Sequence, residues 1–244
     1  MTPMENDLKD TLALVTGANR GIGRAFVESL LARGARVLAT ARDPDTLGPV
    51  VALDPERIRA LRLDVTDDAQ VTAAAEAAGD LDLLINNAGS LASYSVLDSD
   101  LAALRQDMET NFFGTLRMVR AFAPALARRK GRLLNVLTVV SLASMPGIGG
   151  YGASKAAAWS MTQSIRAELA AKGVRVHGVY PGPVDTDMIR AFEMDKTPPR
   201  QVADAALDGL LAGEEDIAPD PMSRQILAQW RQDPRAVEAM FAAM

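Results

Sequence analysis

Tyr151 and Lys155 stand four residues apart in Tyr151-Gly152-Ala153-Ser154-Lys155. On a helix that spacing puts both side chains on one face. A free tyrosine ionises at about pH 10, and a nearby ammonium favours the phenolate and lowers that value. Such a pair can act as general acid and base on an alcohol or a ketone near neutral pH. Alone it says little, because most Tyr-x-x-x-Lys pairs are helix-surface neighbours. It gains weight from its place, after the fifth predicted strand and facing the C-terminal sheet edge, where α/β proteins bind ligands.

A second group of residues suits a dinucleotide. Thr16-Gly17-Ala18-Asn19-Arg20-Gly21-Ile22-Gly23 lies between the first predicted strand and the first predicted helix. Gly17 permits a tight turn, Gly21 lets backbone approach a pyrophosphate, and Gly23 allows close helix–strand packing; the helix N-terminus adds N–H groups and the positive end of its dipole. The glycines are spaced G-x-x-x-G-x-G, and no Lys-Ser/Thr pair closes the motif, which argues against a nucleoside triphosphatase. In NAD binders an acidic residue about 20 positions downstream holds the ribose 2′-hydroxyl. Ala41 occupies that slot, followed by Arg42, and Arg20 lies in the glycine turn. Two guanidinium groups suit a 2′-phosphate, which arginine binds bidentately. Asp43, one residue beyond, is the rival. The reading is NADP(H).

Composition removes other chemistries. The 244 residues are 48% hydrophobic and 23% charged, which excludes a disordered or collagen-like chain. With no cysteine there are no disulfides, zinc-thiolate sites, iron–sulfur clusters or thiol nucleophiles, and one histidine leaves no His-rich metal site. A net charge of −5 makes nucleic acid a poor partner. Residues 1–10 are charged and lack the apolar core of a signal peptide. The longest apolar stretch, 133–145, contains Asn135, Thr138, Ser141 and Ser144 and is too short to span a bilayer. A cytoplasmic protein without membrane partner is expected.

The elements that must position these groups alternate. Apolar runs at 12–16, 36–40, 58–63, 81–85, 132–139 and 174–180 predict strands buried on both faces. Helical patterns at 21–33, 67–78, 100–127 and 151–172 lie between them, with Gly34, Gly79, Gly131 and Gly173 at their C-caps. That alternation predicts βαβ units and a doubly wound, Rossmann-like parallel sheet in one domain over 1–244. Residues 187–199 break the pattern and read as a mobile substrate loop. The segment 200–244 reads as mostly helical, with a short last strand at 216–219. His177 reads as a core or strand-end residue, Trp159 and Trp230 as packing, Arg128-Arg129-Lys130 as a solvated helix end, and Met188 and Met194 as pocket or surface cover.

The chain resembles the short-chain dehydrogenase/reductase family. The resemblance rests on residues 16–23, Asp64 after the third strand, Asn86-Asn87-Ala88-Gly89 after the fourth, Asn111, Tyr151-Gly152-Ala153-Ser154-Lys155, and Pro181-Gly182 with Thr186 after the sixth. It implies hydride transfer between a nicotinamide and a carbonyl or alcohol group of a small substrate. It also implies roles: Tyr151 as proton donor, Lys155 holding the nicotinamide ribose, and Asn111 positioning a water in a proton relay. Asp64 would bind near the adenine, Asn87, Ala88 and Gly89 would line the cofactor cleft, Val184 with Thr186 would touch the carboxamide, and Val65, Pro181 and Gly182 would also bind the cofactor. Thr138 stands where the family usually places a serine, thirteen residues before the tyrosine, and keeps the hydroxyl; Ser141 is the rival. Helical patterns at 222–231 and 235–243 replace the family's glycine-rich last-strand segment. A homo-oligomer, dimer or tetramer, is implied. The alternative reading is a cofactor-binding regulatory or interaction protein with little turnover.

Overall fold

Short apolar runs build the sheet. In the computed structural model, which describes residues 8–244, the strands are β1 (Leu12–Val15), β2 (Arg36–Ala41), β3 (Ile58–Arg62), β4 (Leu83–Asn86), β5 (Arg132–Val136), β6 (Arg175–Val179) and β7 (Asp216–Ile217). The reading of residues 1–10 falls mostly outside that range. All neighbours pair in parallel, in the order 3-2-1-4-5-6-7. The strand order reverses between β1 and β4, and a crevice opens at such a switch point above the C-terminal strand ends.

Side-chain alternation sends the core to both faces. Ala13, Val15, Leu83, Ile85 and Leu134 pack on one side, against α1 (Gly21–Ala32) and α7 (Pro199–Ala212). Leu14, Leu84, Leu133 and Val176 pack on the other, against α3 (Asp68–Ala78), α5 (Thr115–Arg129) and α6 (Gly149–Ala170). Between β2 and β3 a single-turn α2 (Gly48–Val51) stands where no helix is predicted.

Several predicted boundaries move for local reasons. The helix predicted over 100–127 is α4 (Leu101–Met108), a π-helical segment Glu109–Gly114, and α5. β5 stops at Val136 rather than at residue 139, because Thr138 caps a 3-10 turn over Val139–Ser141. Gly131 is not the left-handed C-cap of α5. Lys130 takes that conformation (φ 48), and Gly131 is needed because a Cβ there would lie 2.5 Å from the Asp82 carbonyl oxygen. The tail forms α7, β7, α8 (Pro221–Gln232) and α9 (Pro234–Ala242), close to the helical expectation. Trp159 on α6 meets Trp230 on α8 edge to face, with centroids 5.4 Å apart. His177 is buried in β6 with Nδ1 2.6 Å from the Glu214 carbonyl. Arg128 and Arg129 form exposed ion pairs with Asp80 and Asp82. No helix among the described residues is long and apolar enough to cross a membrane.

Candidate active site

The glycine turn is tied to the end of β4. Thr16 Oγ1 accepts the backbone N–H groups of Asn87 and Ala88, both at 2.9 Å. Asn87 Nδ2 donates back to the carbonyls of Thr16 (2.9 Å) and Gly17 (3.2 Å). Gly17 and Gly21 both have positive φ, 64° and 54°, and a Cβ on Gly23 would stand 2.1 Å from the Gly17 carbonyl oxygen. The first-turn N–H groups of α1 receive no side-chain cap from Arg20, and no acidic residue sits in that turn. Such a helix end favours an anion. These residues fit a dinucleotide pyrophosphate. Ile22 packs against the core, and the Asn19 side chain has no hydrogen-bond partner among the described residues.

At the far end of β2, Ala41 is buried and Arg42 is exposed, with no ion-pair partner among the described residues. The Asp43 carboxylate accepts Asp45 N–H at 3.1 Å and caps the turn Pro44–Leu47. Arg20 pairs with Asp187 at 3.4 Å across the mouth of the cleft, an exposed contact. Asp64 Oδ1 accepts both N–H and Oγ1–H of Thr66, at 2.9 and 2.7 Å. Val65 turns its side chain into the core, against Gly114.

Tyr151 and Lys155 share the first turns of α6. Lys155 is 5% exposed; its Nζ donates to the Val136 carbonyl at 2.9 Å and lies 5.9 Å from the centre of the Tyr151 ring. Burial lowers the Lys155 ammonium to about 8. Burial, with the negative charge of Asp107 adding to it, pushes the Tyr151 phenol above its ordinary value. The sequence predicts that the neighbouring ammonium lowers Tyr151. Here desolvation outweighs that, since Lys155 directs its hydrogen bond to Val136 rather than to the phenol oxygen.

Around this pair, a Cβ on Gly89 would stand 3.2 Å from Asn111 Oδ1 and 3.6 Å from Lys155 Nζ, so the three lie together. Asn111 sits in the π segment with both Nδ2 hydrogens used and one bond to Oδ1. Oδ1 accepts Ser90 N–H, and Nδ2 donates to the Ser90 carbonyl and to Ser154 Oγ. Its backbone carbonyl accepts Thr115 Oγ1–H at 2.9 Å, and like Oδ1 it keeps a second lone pair for a water. Thr138 Oγ1 donates to the Pro181 carbonyl at 3.3 Å, and Ser141 Oγ accepts Thr138 N–H at 3.1 Å. Both hydroxyls are thus part of one capping turn beside the Pro181-Gly182 bend.

After β6, Val184 bridges Thr197, which pinches the loop 187–196 at its base. Thr186 sits over the α1 end, its methyl 3.1 Å from where a Cβ on Gly21 would be. A cleft of about 360 Å³ between Gly21, Arg24, Thr186, Asp187 and Arg200 opens there.

Four features escaped the sequence reading. Buried Asp107 accepts three hydrogen bonds from Ala92 and Ser93. Buried Asp220 accepts Gly182 N–H while capping α8; its signal was Asp-Pro-x-Ser at a helix start. Tyr94, in the segment after β4, stacks on Phe192, in the loop after β6, with centroids 6.4 Å apart. An apolar cluster of Val139, Val140, Ile226, Val237 and Phe241 packs against Tyr151. The other three features need tertiary placement to be seen.

Residues 11–197 match the family model described as short chain dehydrogenase. The chain belongs to the short-chain dehydrogenase family. It is an oxidoreductase of that family with the family's Rossmann-like sheet. A short-chain dehydrogenase from Burkholderia cenocepacia, solved in complex with NADP, is 40% identical; the match covers 96% of this chain and 98% of that one, with a TM-score of 0.89. A family member from Burkholderia phymatum, solved in complex with NAD, is 26% identical over 96% of each chain, with a TM-score of 0.86. The 3-oxoacyl-(acyl-carrier-protein) reductase FabG of Salmonella typhimurium is 34% identical, covering 85% of this chain and 86% of its own.

Proposed function

We propose that this short-chain dehydrogenase uses NADP(H) to interconvert a carbonyl and an alcohol on a small apolar substrate, with Tyr151 as its general acid and base. The observation that carries the reading is the placement of Tyr151 and Lys155 on one turn of α6, beside Gly89 and Asn111, at the strand ends that also carry the glycine cradle. A protein that only bound the cofactor would have no need of that pair.

The cradle at Gly17, Asn19, Arg20, Gly21, Ile22 and Gly23 would hold the pyrophosphate. Asp64 and Val65 would border the adenine, and Asn87, Ala88 and Gly89 the floor of the cleft. Pro181, Gly182, Val184 and Thr186 would border the carboxamide. Arg42 and Arg20 would take the 2′-phosphate, with Arg20 exchanging its exposed pairing to Asp187, a contact worth about 0–1 kcal/mol. When bound, the nicotinamide supplies hydride to a carbonyl carbon or accepts it from an alcohol carbon.

The chain's own residues move the proton. Tyr151, held protonated by its burial, donates to the carbonyl oxygen as negative charge grows there. Lys155 lies beside it and stabilises the phenolate left behind. Thr138 is the second donor toward that oxygen, its hydroxyl turning from the Pro181 carbonyl. Asn111 lends its backbone to a water that returns the proton. The apolar cluster from α8 and α9 walls the substrate end, which favours an apolar carbonyl compound.

The chain is read as one domain, with 187–199 as a loop that closes over the substrate and excludes water. The family's homo-oligomeric habit belongs to the same reading, and light scattering on the eluted protein checks it. Carbonyl-dependent NADPH consumption, with Tyr151→Phe as control, tests the function.

A further inference from the structure

Asp107 is a fully buried carboxylate on α4, one turn before Asn111. A buried charge is stable only when paired or fully hydrogen-bonded. Its partners all lie in the loop that follows β4. Oδ1 accepts Ala92 N–H at 2.9 Å, and Oδ2 accepts Ser93 N–H at 2.9 Å and Ser93 Oγ–H at 2.5 Å. Asn111 holds the same loop two residues earlier, through both polar groups of the Ser90 backbone. The two side chains therefore staple the loop to the helix in register.

The loop in turn seats the start of α6. Ser93 Oγ fills the place of a Gly150 Cβ, which would lie 2.3 Å away, and Gly150 N–H donates to the Tyr94 carbonyl at 3.3 Å. Gly150 immediately precedes Tyr151. The chain of contacts runs from Asp107 through Ser93 to Gly150, and the backbone carries it on to Tyr151.

We propose that Asp107 is a positioning residue of the reaction, its carboxylate pinning Ser93 against Gly150 so that Tyr151 and Lys155 meet the cleft in a fixed geometry. The proposal rests on the reading that Tyr151 and Lys155 perform the proton transfer. Asp107 acts in a second way. Among the described residues it is the one charged group whose field is felt at both Tyr151 and Lys155, and it favours the charged ammonium that burial opposes. On α4 Arg105 is exposed, and in the π segment that follows Glu109 is paired with Arg117. β5 offers Lys155 only the Val136 carbonyl, the β4 loop offers Gly89, and α8 and α9 face Tyr151 with apolar side chains.

The test is the pH profile of Asp107→Asn beside wild type. The amide keeps size and removes the charge. Its kcat should fall about tenfold to a hundredfold, while NADPH affinity by fluorescence titration stays within about twofold, because the glycine cradle is untouched. The alkaline limb of kcat/KM, set by Lys155, should move down by about one pH unit. Asp107→Glu restores the charge and should return that limb to the wild-type position. A wild-type kcat and limb in Asp107→Asn overturns the proposal, as does a limb that stays put while kcat and NADPH affinity fall together. If Asp107→Asn does not fold, Ser93→Ala decides: a lower kcat at unchanged NADPH affinity supports the proposal and a wild-type kcat overturns it. Tyr151→Phe in the same assay separates the two layers. Full activity there removes the proton-transfer reading itself; an inactive Tyr151→Phe beside a wild-type-like Asp107→Asn removes only the role of Asp107.

Discussion

Lys155 Nζ lies 5.9 Å from the centre of the Tyr151 ring, one helical turn along α6, with its hydrogen bond given to the Val136 carbonyl instead of the phenol. The ammonium is thus held next to the phenol by the backbone of β5. That arrangement buries a charge, and its consequences are measurable.

The first is a stability trade. Lys155 titrates at about 8 in the folded chain, against about 10.4 for a free lysine. Between those values the unfolded chain binds more protons, so the contribution of this group to stability rises with pH. Below about 8 the group is charged in both states, and its burial opposes folding by an amount that no longer changes. Lys155→Met removes that opposition and should raise Tm at pH 7 by about 3 °C. The gain should close as pH rises through that window, and activity should be lost. Thermal melts at pH 7 and pH 10 check this; a variant less stable than wild type at pH 7 contradicts it.

The second concerns cofactor choice. Arg42 is unpaired among the described residues, and Asp43 is engaged in capping the following turn. NADPH should bind at least about tenfold more tightly than NADH, a difference of about 1.4 kcal/mol. Ala41→Asp combined with Arg42→Ala should move the preference toward NADH. Fluorescence titrations with both nucleotides decide, and equal affinities in the wild type would refute the assignment.

The third separates the two hydroxyls. Thr138 Oγ1 faces the Pro181 carbonyl, whereas Ser141 Oγ accepts Thr138 N–H from within the turn. Thr138→Val should lower kcat about tenfold to a thousandfold, as loss of an oxyanion donor does. Ser141→Ala should leave kcat near wild type and lower stability by about 1 kcal/mol through loss of the cap. The opposite ranking in kcat would transfer the role to Ser141.

The fourth concerns the loop 187–199. Two contacts tie it to the rest of the chain, Arg20 with Asp187 and Tyr94 with Phe192. On the proposed reading NADPH would draw Arg20 away from Asp187, and substrate would be held under the stacked pair. Limited proteolysis should show cleavage within this loop suppressed by NADPH with substrate. Phe192→Ala should raise KM more than it lowers kcat. Equal cleavage with and without ligands would count against closure.

Much of this architecture is legible in the chain because buried parallel strands are continuous apolar runs and because Gly17, Gly21 and Gly23 sit at a strand–helix junction. The pairing of Tyr151 with Lys155 follows from helical periodicity alone. What the chain hides is settled by contacts distant in sequence. Asp107 reads as one more charge on an amphipathic helix until the loop at Ala92 and Ser93 is folded onto it. Gly131 reads as a C-cap, yet its requirement comes from the Asp82 carbonyl on a neighbouring segment. The fall of the Lys155 pKa and the rise of the Tyr151 pKa are mainly desolvation effects, and Tyr151 packs against residues of α8 and α9, far along the chain.

The most direct measurement is carbonyl-dependent NADPH oxidation, followed by absorbance with a panel of apolar ketones and aldehydes, for wild type and Tyr151→Phe. Wild type should turn over at least one of them. Tyr151→Phe should lose about a hundredfold to ten-thousandfold in kcat while still binding NADPH. A Tyr151→Phe protein as active as wild type, or a wild type that binds NADPH and oxidises it with no carbonyl in the panel, would contradict the account.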